Sequence, residues 1–410
     1  MTPTTRPVGA TGSGDVDGPV GRYLQLGLRL GRHLDGMADA YYGPAGLAAR
    51  IDDEPRRDLN ALVADAGGLV ADLDRGDGDL EPQRRRWLRA QVVGLHTAAR
   101  KLNGDNVSYV EEVETCYGVR PTMVGHDELA EAHHRLDDVL PGSGPLAERY
   151  EAWRTTHLIP ADRLEMVVEA LAEDFRERTR RSFGLPDGEQ IRFEIVSDQP
   201  WSGFNYYEGN LSSRVAINTD LPVSSTAIGH LIAHEAYPGH HTEHCRKEVG
   251  LVRSRRHIEE SIFLVGTPQC LMAEGLADLA LEALLGPANE PILAGLLHPL
   301  GVRYDTEVVA AVAGAGEALS AVRGNAAIIL HDRGGSNDDA VEELERWGLL
   351  SRERAEKSVT FLTHPTWRAY IFCYVAGLPL CRDFMAGDPA RFDRLLSEQL
   401  IPADLTVREG

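Results

Sequence analysis

Apolar residues recur at helical spacing along almost the whole chain, and this periodicity restricts the fold more than any other feature of the sequence. From Pro19 onward they return every three or four positions, so that Leu24, Leu28 and Leu34 share one face of a first helix. That helix should end near residues 41–44, where Tyr-Tyr-Gly-Pro breaks the pattern. The further helical stretches of the first half lie at about 54–75, 80–103, 126–139, 143–158 and 161–184. The pattern predicts a mainly α protein.

One segment, residues 190–220, has a different pattern. Apolar and polar residues alternate in IRFEIVSD, and FNYYEGNLSSRVAIN has the form of two short strands around a turn at 208–210. The Ser-Ser-Thr cluster at 224–226 should then cap a new helix. We therefore expect one small antiparallel β-hairpin or sheet within an otherwise helical fold.

The 410 residues divide into three parts by composition. Residues 1–18 are small, polar and rich in Gly and Thr, which predicts a disordered tail and not a secretory signal. Residues 19–187 form an N-terminal helical region, and residues 188–410 carry the chemically suggestive clusters. We expect these two parts to form one continuous fold. Because no run of 18 apolar residues occurs, we expect no membrane span and a cytoplasmic location.

Charge and cysteine content exclude two classes of protein. The net charge of −21, from 63 acidic and 42 basic residues, repels phosphate backbones and excludes nucleic acid as the main partner. The five cysteines are scattered without a Cys-x-x-Cys pair, which fits reduced thiols and argues against a zinc site built from cysteine. The composition leaves the oligomeric state open.

The segment HLIAHEAYPGHHTEH holds five of the fifteen histidines in the chain. A helix that carries His-Glu-x-x-His presents two imidazoles on one face for a zinc ion, and the Glu serves as general base. This chain has His234 and Glu235, but Pro238 occupies the position of the second histidine. The standard motif is therefore absent.

The Pro238–Gly239 pair provides a way to restore the motif. On an unbroken helix His240 would lie roughly 120° around from His234, and His241 would lie roughly 10 Å away along the axis. Proline cannot continue the helix and glycine tolerates unusual backbone angles, so the two should break or bulge it here. Treated as a two-residue insertion, they place His240 where the second ligand belongs, with His241 as the alternative. His230, four residues before His234, is another alternative.

A carboxylate supplies the third predicted ligand. Glu274 lies in the apolar helical run QCLMAEGLADLALEALLG, where a charge is expensive to bury unless it is paired or bound to metal. Gly275 beside it should let another helix approach closely, and Asp278 one turn on should orient a ligand imidazole. The predicted site is thus Zn²⁺ on His234, His240 and Glu274. Zinc is the expected cofactor, although imidazole–carboxylate sites also accept Mn, Co and Fe.

Four side chains further along the chain are candidates for catalysis. A zinc hydrolase needs a donor for the developing oxyanion and often a cation for a substrate carboxylate. Tyr370 and Tyr374 are predicted donors, and Arg323 and Arg368 are predicted cations. Tyrosines and arginines at helical spacing also commonly pack or extend along a surface without any such role.

The strand pair ahead of the histidine cluster has a predicted role in substrate binding. In many zinc peptidases an edge strand pairs with the extended substrate and holds the scissile bond at the metal. Asn205, Tyr206 and Tyr207 could line such a groove. The hairpin could equally be ordinary structure.

The motif HEAYPGHH, with a later helix that contains Glu-Gly, resembles the bacterial domain-of-unknown-function family 885. The stretches DAYYGP near residue 39, RGN…HDRGG and HPTWRAY…YVAG extend the resemblance over most of the chain. It implies a mostly helical fold similar to the HExxH carboxypeptidases of the Taq type, with zinc on His234, His240 and Glu274 and with Glu235 as general base. Many relatives have EGWA followed by Tyr where this chain has EGLADLA, so pocket shape and substrate do not carry over.

Three functions fit these features. The first is a zinc-dependent hydrolase with a large helical metallopeptidase-like fold, in which a metal-activated water attacks a peptide and the enzyme is a metallopeptidase or more narrowly a carboxypeptidase. The second uses the same site on an amide or ester of a small metabolite. The third is a non-catalytic helical binding protein with a structural metal, which four protein ligands would enclose.

Overall fold

The computed structural model describes residues 17–76, 78–199, 201–220 and 222–406, and within these ranges the side chain of Glu317 is not described. The predicted disordered tail lies outside the described residues, except for Asp17 and Gly18. The fold is mainly α, as the periodicity predicted. The helices of the first half are α1 (Pro19–Gly31), α2 (Ala45–Asp53), α3 (Leu59–Arg75), α4 (Pro82–Leu102), α5 (Tyr109–Tyr117), α6 (His126–Val139), α7 (Leu146–Thr156) and α8 (Leu164–Ser182).

The N-terminal helices pack by their apolar faces, as amphipathic helices do. Tyr23 and Leu24 of α1 are buried in one core with Trp87 of α4. Helix α3 begins where the Asp58 side chain accepts a hydrogen bond from the amide of Ala61, which satisfies one of the free donors of its first turn. This core also contains Ile262 and Leu264 from the second half of the chain.

The β segment at 190–220 forms a three-stranded sheet with strand order β2-β4-β3. Its strands are β2 (Gln190–Val196), β3 (Gly203–Gly209) and β4 (Ser212–Asn218). Strands β3 and β4 form the predicted antiparallel hairpin, while β2 runs parallel to β4. Strand β3 therefore lies at one edge of this sheet.

A second, two-stranded sheet was not predicted. Strand β1 (Ala38–Tyr41) pairs antiparallel with β5 (Ile262–Leu264), so that Tyr41 lies opposite Ile262. The expectation of a single β segment was wrong because strands of four and three residues are too short to show the alternation by which strands are recognised. The side chains of Ile262 and Leu264 are buried in the core of the N-terminal helices.

The helices of the second half are α9 (Ser225–Glu235), α10 (His240–Lys247), α11 (Pro268–Leu285), α12 (Glu290–Leu297), α13 (Thr306–Ser320), α14 (Val322–His331), α15 (Asn337–Trp347), α16 (Arg352–Thr363), α17 (Ile371–Met385), α18 (Pro389–Ser397) and α19 (Pro402–Thr406). Helix α11 is largely buried and packs against α9, α10, α17, α18 and α19. Nearly all side chains of α11 are buried, which explains why its sequence is apolar on every face. None of the described helices is both long and apolar enough to cross a membrane.

Helices α11 and α17 approach each other closely through two glycines. A Cβ atom added to Gly275 would lie 2.5 Å from the carbonyl oxygen of Gly377, so only glycine fits at this contact. The close approach that the sequence predicted beside Glu274 is therefore present, and it brings the start of α17 next to that carboxylate.

Candidate metal centre

The histidine segment is divided into two helices at the predicted break. Helix α9 begins where the Ser224 hydroxyl accepts a hydrogen bond from the amide of Thr226, and it ends at Glu235. Helix α10 begins at His240, after a turn that contains a cis Tyr237–Pro238 peptide bond. A Cβ atom at Gly239 would lie 2.0 Å from the carbonyl oxygen of His234, so the turn requires glycine at this position. The turn brings His240 back toward the end of α9.

His234, His240 and Glu274 lie together. The rings of His234 and His240 are perpendicular, with their centroids 4.7 Å apart. Nε2 of His234 lies 3.2 Å from Oε2 of Glu274, and Nε2 of His240 lies 3.9 Å from Oε1. One potential ligand atom from each of the three residues lies within 4.8 Å of the other two. Two imidazoles and a carboxylate at such distances are a donor set that zinc uses in catalytic sites.

The Glu274 carboxylate fits a bound cation. Its Oε1 accepts a hydrogen bond of 2.6 Å from the hydroxyl of Tyr370, whereas its buried Oε2 has no hydrogen-bond partner in the described part of the chain. Nε2 of His234 lies 3.2 Å from this oxygen as a charged neighbour, but without hydrogen-bond geometry. A metal ion held between Glu274 and the two imidazoles would satisfy the buried oxygen.

Asp278 orients the His234 ring from the side opposite to Glu274. Nδ1 of His234 donates a hydrogen bond of 2.9 Å to Oδ1 of Asp278, which leaves Nε2 directed at Glu274. Nε2 of His230 lies 3.5 Å from the same aspartate oxygen. Asp278 therefore has the position that the sequence predicted for the partner of a ligand imidazole.

His241, the alternative second ligand, points away from this cluster. Its Nδ1 lies 2.8 Å from the Ser213 hydroxyl and its Nε2 lies 3.1 Å from Oε2 of Glu189. The same Glu189 oxygen accepts a hydrogen bond of 2.7 Å from the Tyr237 hydroxyl. His240, and not His241, is thus the neighbour of His234 and Glu274. His244 also lies elsewhere, stacked on the ring of Tyr207.

The ionisation of the cluster reflects burial and the close carboxylates. Burial alone would lower the pKa of His234, but the hydrogen bond to Asp278 and the Glu274 carboxylate, 3.2 Å from Nε2, outweigh it and hold that pKa well above its ordinary value. Burial, together with the charge of His234, lowers the pKa of His240 to about 4. A neutral His240 keeps the lone pair that a metal ligand needs.

Glu235 lies between the cluster and the edge strand β3. Burial, against the effect of His234 and with the help of the charges of Glu274 and Asp278, raises the pKa of its carboxyl group to about 7. A Cβ atom built on Gly203 of β3 would lie 3.2 Å from Oε1 of Glu235. The Asn205 amide of the same strand donates a hydrogen bond of 2.6 Å to the backbone carbonyl of Glu235. A carboxyl group with such a pKa can exchange a proton near neutral pH.

The four predicted catalytic side chains fall into different places. Tyr370 bonds directly to Glu274. Tyr374 is 38% exposed and its ring centroid lies 5.7 Å from that of Tyr370. Desolvation by the surrounding protein, followed by the charge of Glu274, raises its pKa. Arg323 is accessible to water, yet desolvation by the surrounding protein lowers its pKa while Tyr374 acts in the opposite direction. Arg368 is directed elsewhere, since its Nε donates a hydrogen bond of 2.8 Å to Oε2 of Glu112.

Two acidic residues of the site were missed by sequence reasoning. Asp39 of β1 has a pKa raised to about 7 by burial and by the charge of Glu274, and its own charge acts on Glu235. Glu189 forms hydrogen bonds with Tyr237 and His241, which precede and follow His240 in the sequence. Asp39 stands in the DAYYGP stretch, which gave the only available signal, and Glu189 had none.

Comparison with known proteins places the chain by fold alone. No protein-family model and no curated protein matches the sequence, so the resemblance to family 885 stays a prediction. The structure is similar to that of a suspected lipoprotein from Colwellia psychrerythraea, with 16% identity and a TM-score of 0.53, over 85% of this chain and 68% of that one. An M32 carboxypeptidase from Deinococcus radiodurans R1 gives 13% identity and a TM-score of 0.39, over 94% of this chain and 93% of that one. A suspected lipoprotein of unknown function from Shewanella oneidensis gives 13% and 0.45, over 85% and 71%. The last two scores are too low to support a functional conclusion.

Proposed function

We propose that the protein is a zinc-dependent hydrolase, and more narrowly a metallopeptidase. The observation that carries this proposal is the meeting of His234, His240 and Glu274 beside a carboxyl group of raised pKa. One buried oxygen of Glu274 has no hydrogen-bond partner among the described residues. Among the described residues, two groups have ligand atoms in mutual reach, and this one consists of three side chains. Three protein ligands are typical of catalytic zinc, whereas structural zinc has four.

Zinc would be held by Nε2 of His234, by His240 and by Glu274. When bound there, it supplies a Lewis acid that polarises a carbonyl group and lowers the pKa of water. Asp278 fixes the tautomer of His234 through the Nδ1–H bond. Tyr370 holds Oε1 of Glu274, which lies 3.9 Å from Nε2 of His240. Oε2 remains directed at Nε2 of His234.

Glu235 is the proposed general base. Glu235 follows His234 directly in the chain. The carboxyl pKa of about 7 suits removal of a proton from water and transfer of that proton to the leaving amine. Asn205 fixes the backbone of Glu235 from strand β3, which keeps the base beside the edge of the sheet. The raised pKa thus has a direct catalytic use.

Tyr374 and Arg323, both accessible to water, are the proposed substrate-binding residues. Tyr374 is exposed next to Tyr370, and its hydroxyl can donate a hydrogen bond to a developing oxyanion. No carboxylate within the described ranges forms an ion pair with Arg323, which is electrostatically coupled to Tyr374. A cation at this place would bind the terminal carboxylate of a peptide, so the narrower proposal is a carboxypeptidase. Arg368 has no part in it because Glu112 holds its guanidinium.

The metal proposal is tested by the zinc content of purified protein, measured by elemental mass spectrometry. Wild-type protein should contain about one zinc per chain, as a catalytic site does. The variants His240→Ala and Glu274→Ala should lose it, while His241→Ala should keep it if folded. Absence of stoichiometric metal from wild-type protein would overturn the proposal and favour a non-catalytic binding protein.

The catalytic proposal is tested separately with Glu235→Gln, which should retain zinc. Hydrolysis of a peptide library, followed by mass spectrometry, should fall by about 10²–10⁴-fold if Glu235 is the general base. Trimming of single residues from the carboxyl end, weakened by Arg323→Ala, would support the carboxypeptidase. Full hydrolysis by Glu235→Gln would contradict its role. A zinc-loaded protein that leaves every peptide intact would instead direct the search to amides and esters of small metabolites.

A further inference from the structure

We propose that His230, Asp278 and Nδ1 of His234 form a second, weaker site for a divalent transition-metal ion such as zinc. This site adjoins the first one and shares His234 with it. The inference goes beyond the proposed hydrolase, because it concerns an additional ion and its test counts bound metal.

Three potential ligand atoms meet at this place. Nε2 of His230 lies 3.5 Å from Oδ1 of Asp278, and Nδ1 of His234 lies 2.9 Å from the same oxygen. One ligand atom from each of the three residues lies within 4.8 Å of the other two. The rings of His230 and His234 lie one helical turn apart on α9, with centroids 5.7 Å from each other. Two imidazoles and one carboxylate form the same donor set as the first cluster.

Exposure distinguishes the two sites. The His230 side chain is 47% exposed, whereas His234 and Glu274 are buried. An ion at His230 would keep water ligands and leave readily. In the first site, by contrast, the buried Oε2 of Glu274 lacks any described hydrogen-bond partner, while Asp278 already accepts a hydrogen bond from His234. A metal ion therefore gains more at the first site and should fill it first.

The shared ring makes the two sites antagonistic. Once its Nε2 binds a metal ion, the His234 imidazole is neutral and carries one N–H group, at Nδ1. With Nε2 directed at Glu274 and Nδ1–H bonded to Asp278, the ring faces the first site. An ion that binds Nδ1 of His234 must displace the Nδ1 proton to solvent. It also replaces that proton as the partner of Asp278. Excess metal should therefore weaken the support of His234 and slow hydrolysis.

The test is a zinc titration of metal-free protein, with bound metal measured by equilibrium dialysis and elemental mass spectrometry. Wild-type protein should bind one equivalent at low free zinc and a second only at higher free zinc. His230→Ala should keep the first equivalent and lose the second. His126→Ala is a matched control, because this ring is 52% exposed and lies 3.1 Å from Oε1 of Glu343, without a neighbouring metal cluster. It should keep both equivalents.

A second measurement uses wild-type protein alone and so does not depend on the folding of a variant. Visible absorption of Co²⁺ added to the metal-free protein should rise in two phases with different spectra. A single equivalent throughout the zinc titration, or a second equivalent that persists in His230→Ala, would overturn the second site.

The outcomes also separate this inference from the proposed function. Two equivalents without hydrolysis of any substrate would leave the second site standing and remove the hydrolase. Hydrolysis by a protein that binds only one equivalent of zinc would support the hydrolase and exclude the second site.

Discussion

Replacement of Gly275 by alanine tests the close contact that places α17 against the metal ligand Glu274. The added Cβ would lie 2.5 Å from the carbonyl oxygen of Gly377 and 2.7 Å from Sγ of Cys381. Neither neighbour is the flexible end of a long side chain, so the two helices must separate by about 1 Å to restore an ordinary contact. Overpacking of this kind costs about 3 kcal/mol at the upper end of its usual range. Alanine returns about 1 kcal/mol through its better helix propensity. The expected net loss in the free energy of unfolding is therefore about 2 kcal/mol.

Urea unfolding of the metal-free protein, followed by tryptophan fluorescence, measures this loss. The matched control is Gly314→Ala in helix α13, where an added Cβ would have nothing within 4 Å. That variant should be stabilised by up to about 1 kcal/mol, because only the propensity term remains.

The same substitution should weaken zinc binding. Separation of the helices lengthens the 2.6 Å bond from Tyr370 to Glu274, which fixes the carboxylate as a ligand. Loss of such a supporting contact typically reduces metal affinity by about 10–100-fold. If Gly275→Ala were as stable as wild-type protein and bound zinc as tightly, the account of this helix contact would be refuted.

Three further predictions follow from individual carboxylates. Asp278→Asn should lower zinc affinity by about 10–100-fold in a chelator competition, because the amide cannot accept the Nδ1–H bond as a charge does; unchanged affinity would exclude the orienting role. Glu189→Gln should lower the free energy of unfolding by about 2–3 kcal/mol, because the side chain bonds Arg176, Tyr237 and His241. The exposed control Glu177→Gln, on the same helix as Arg176, should cost less than about 1 kcal/mol. Glu260→Gln should flatten the pH dependence of stability. Burial raises the pKa of Glu260 from 4.5 to about 7, so its contribution of about 3 kcal/mol is full below pH 4.5 and is lost as pH rises through 7. Urea titrations at pH 5 and pH 8 that show the same change in both proteins would contradict this.

Local patterns accounted for much of the fold and of the candidate site. The two short strands around a turn at 208–210 predicted the β3–β4 hairpin, and the Pro238–Gly239 break predicted a turn that brings a histidine back to His234. The glycine after Glu274 predicted the close helix contact. In each case the signal lies within a few residues of the feature, where backbone preferences act directly.

Pairings between distant parts of the chain could not be predicted in this way. Arg368 was a candidate for substrate binding, but its partner is Glu112 in the first half of the chain. Asp39 reaches the site only because β1 pairs with β5. Such contacts depend on the packing of whole helices, which one sequence does not encode in any short stretch.

The β1–β5 pairing can form only late in the synthesis of the protein. At about 5–20 residues per second, Ile262 leaves the ribosome roughly 10–45 s after its partner Tyr41, from which it is separated by about 220 residues. Until then the nascent N-terminal helices lack Ile262 and Leu264, two buried side chains of their core. His234 and His240 have been synthesised by that time, and Glu274 follows shortly. The N-terminal core and the cluster of metal-binding side chains are therefore completed during the same interval of translation.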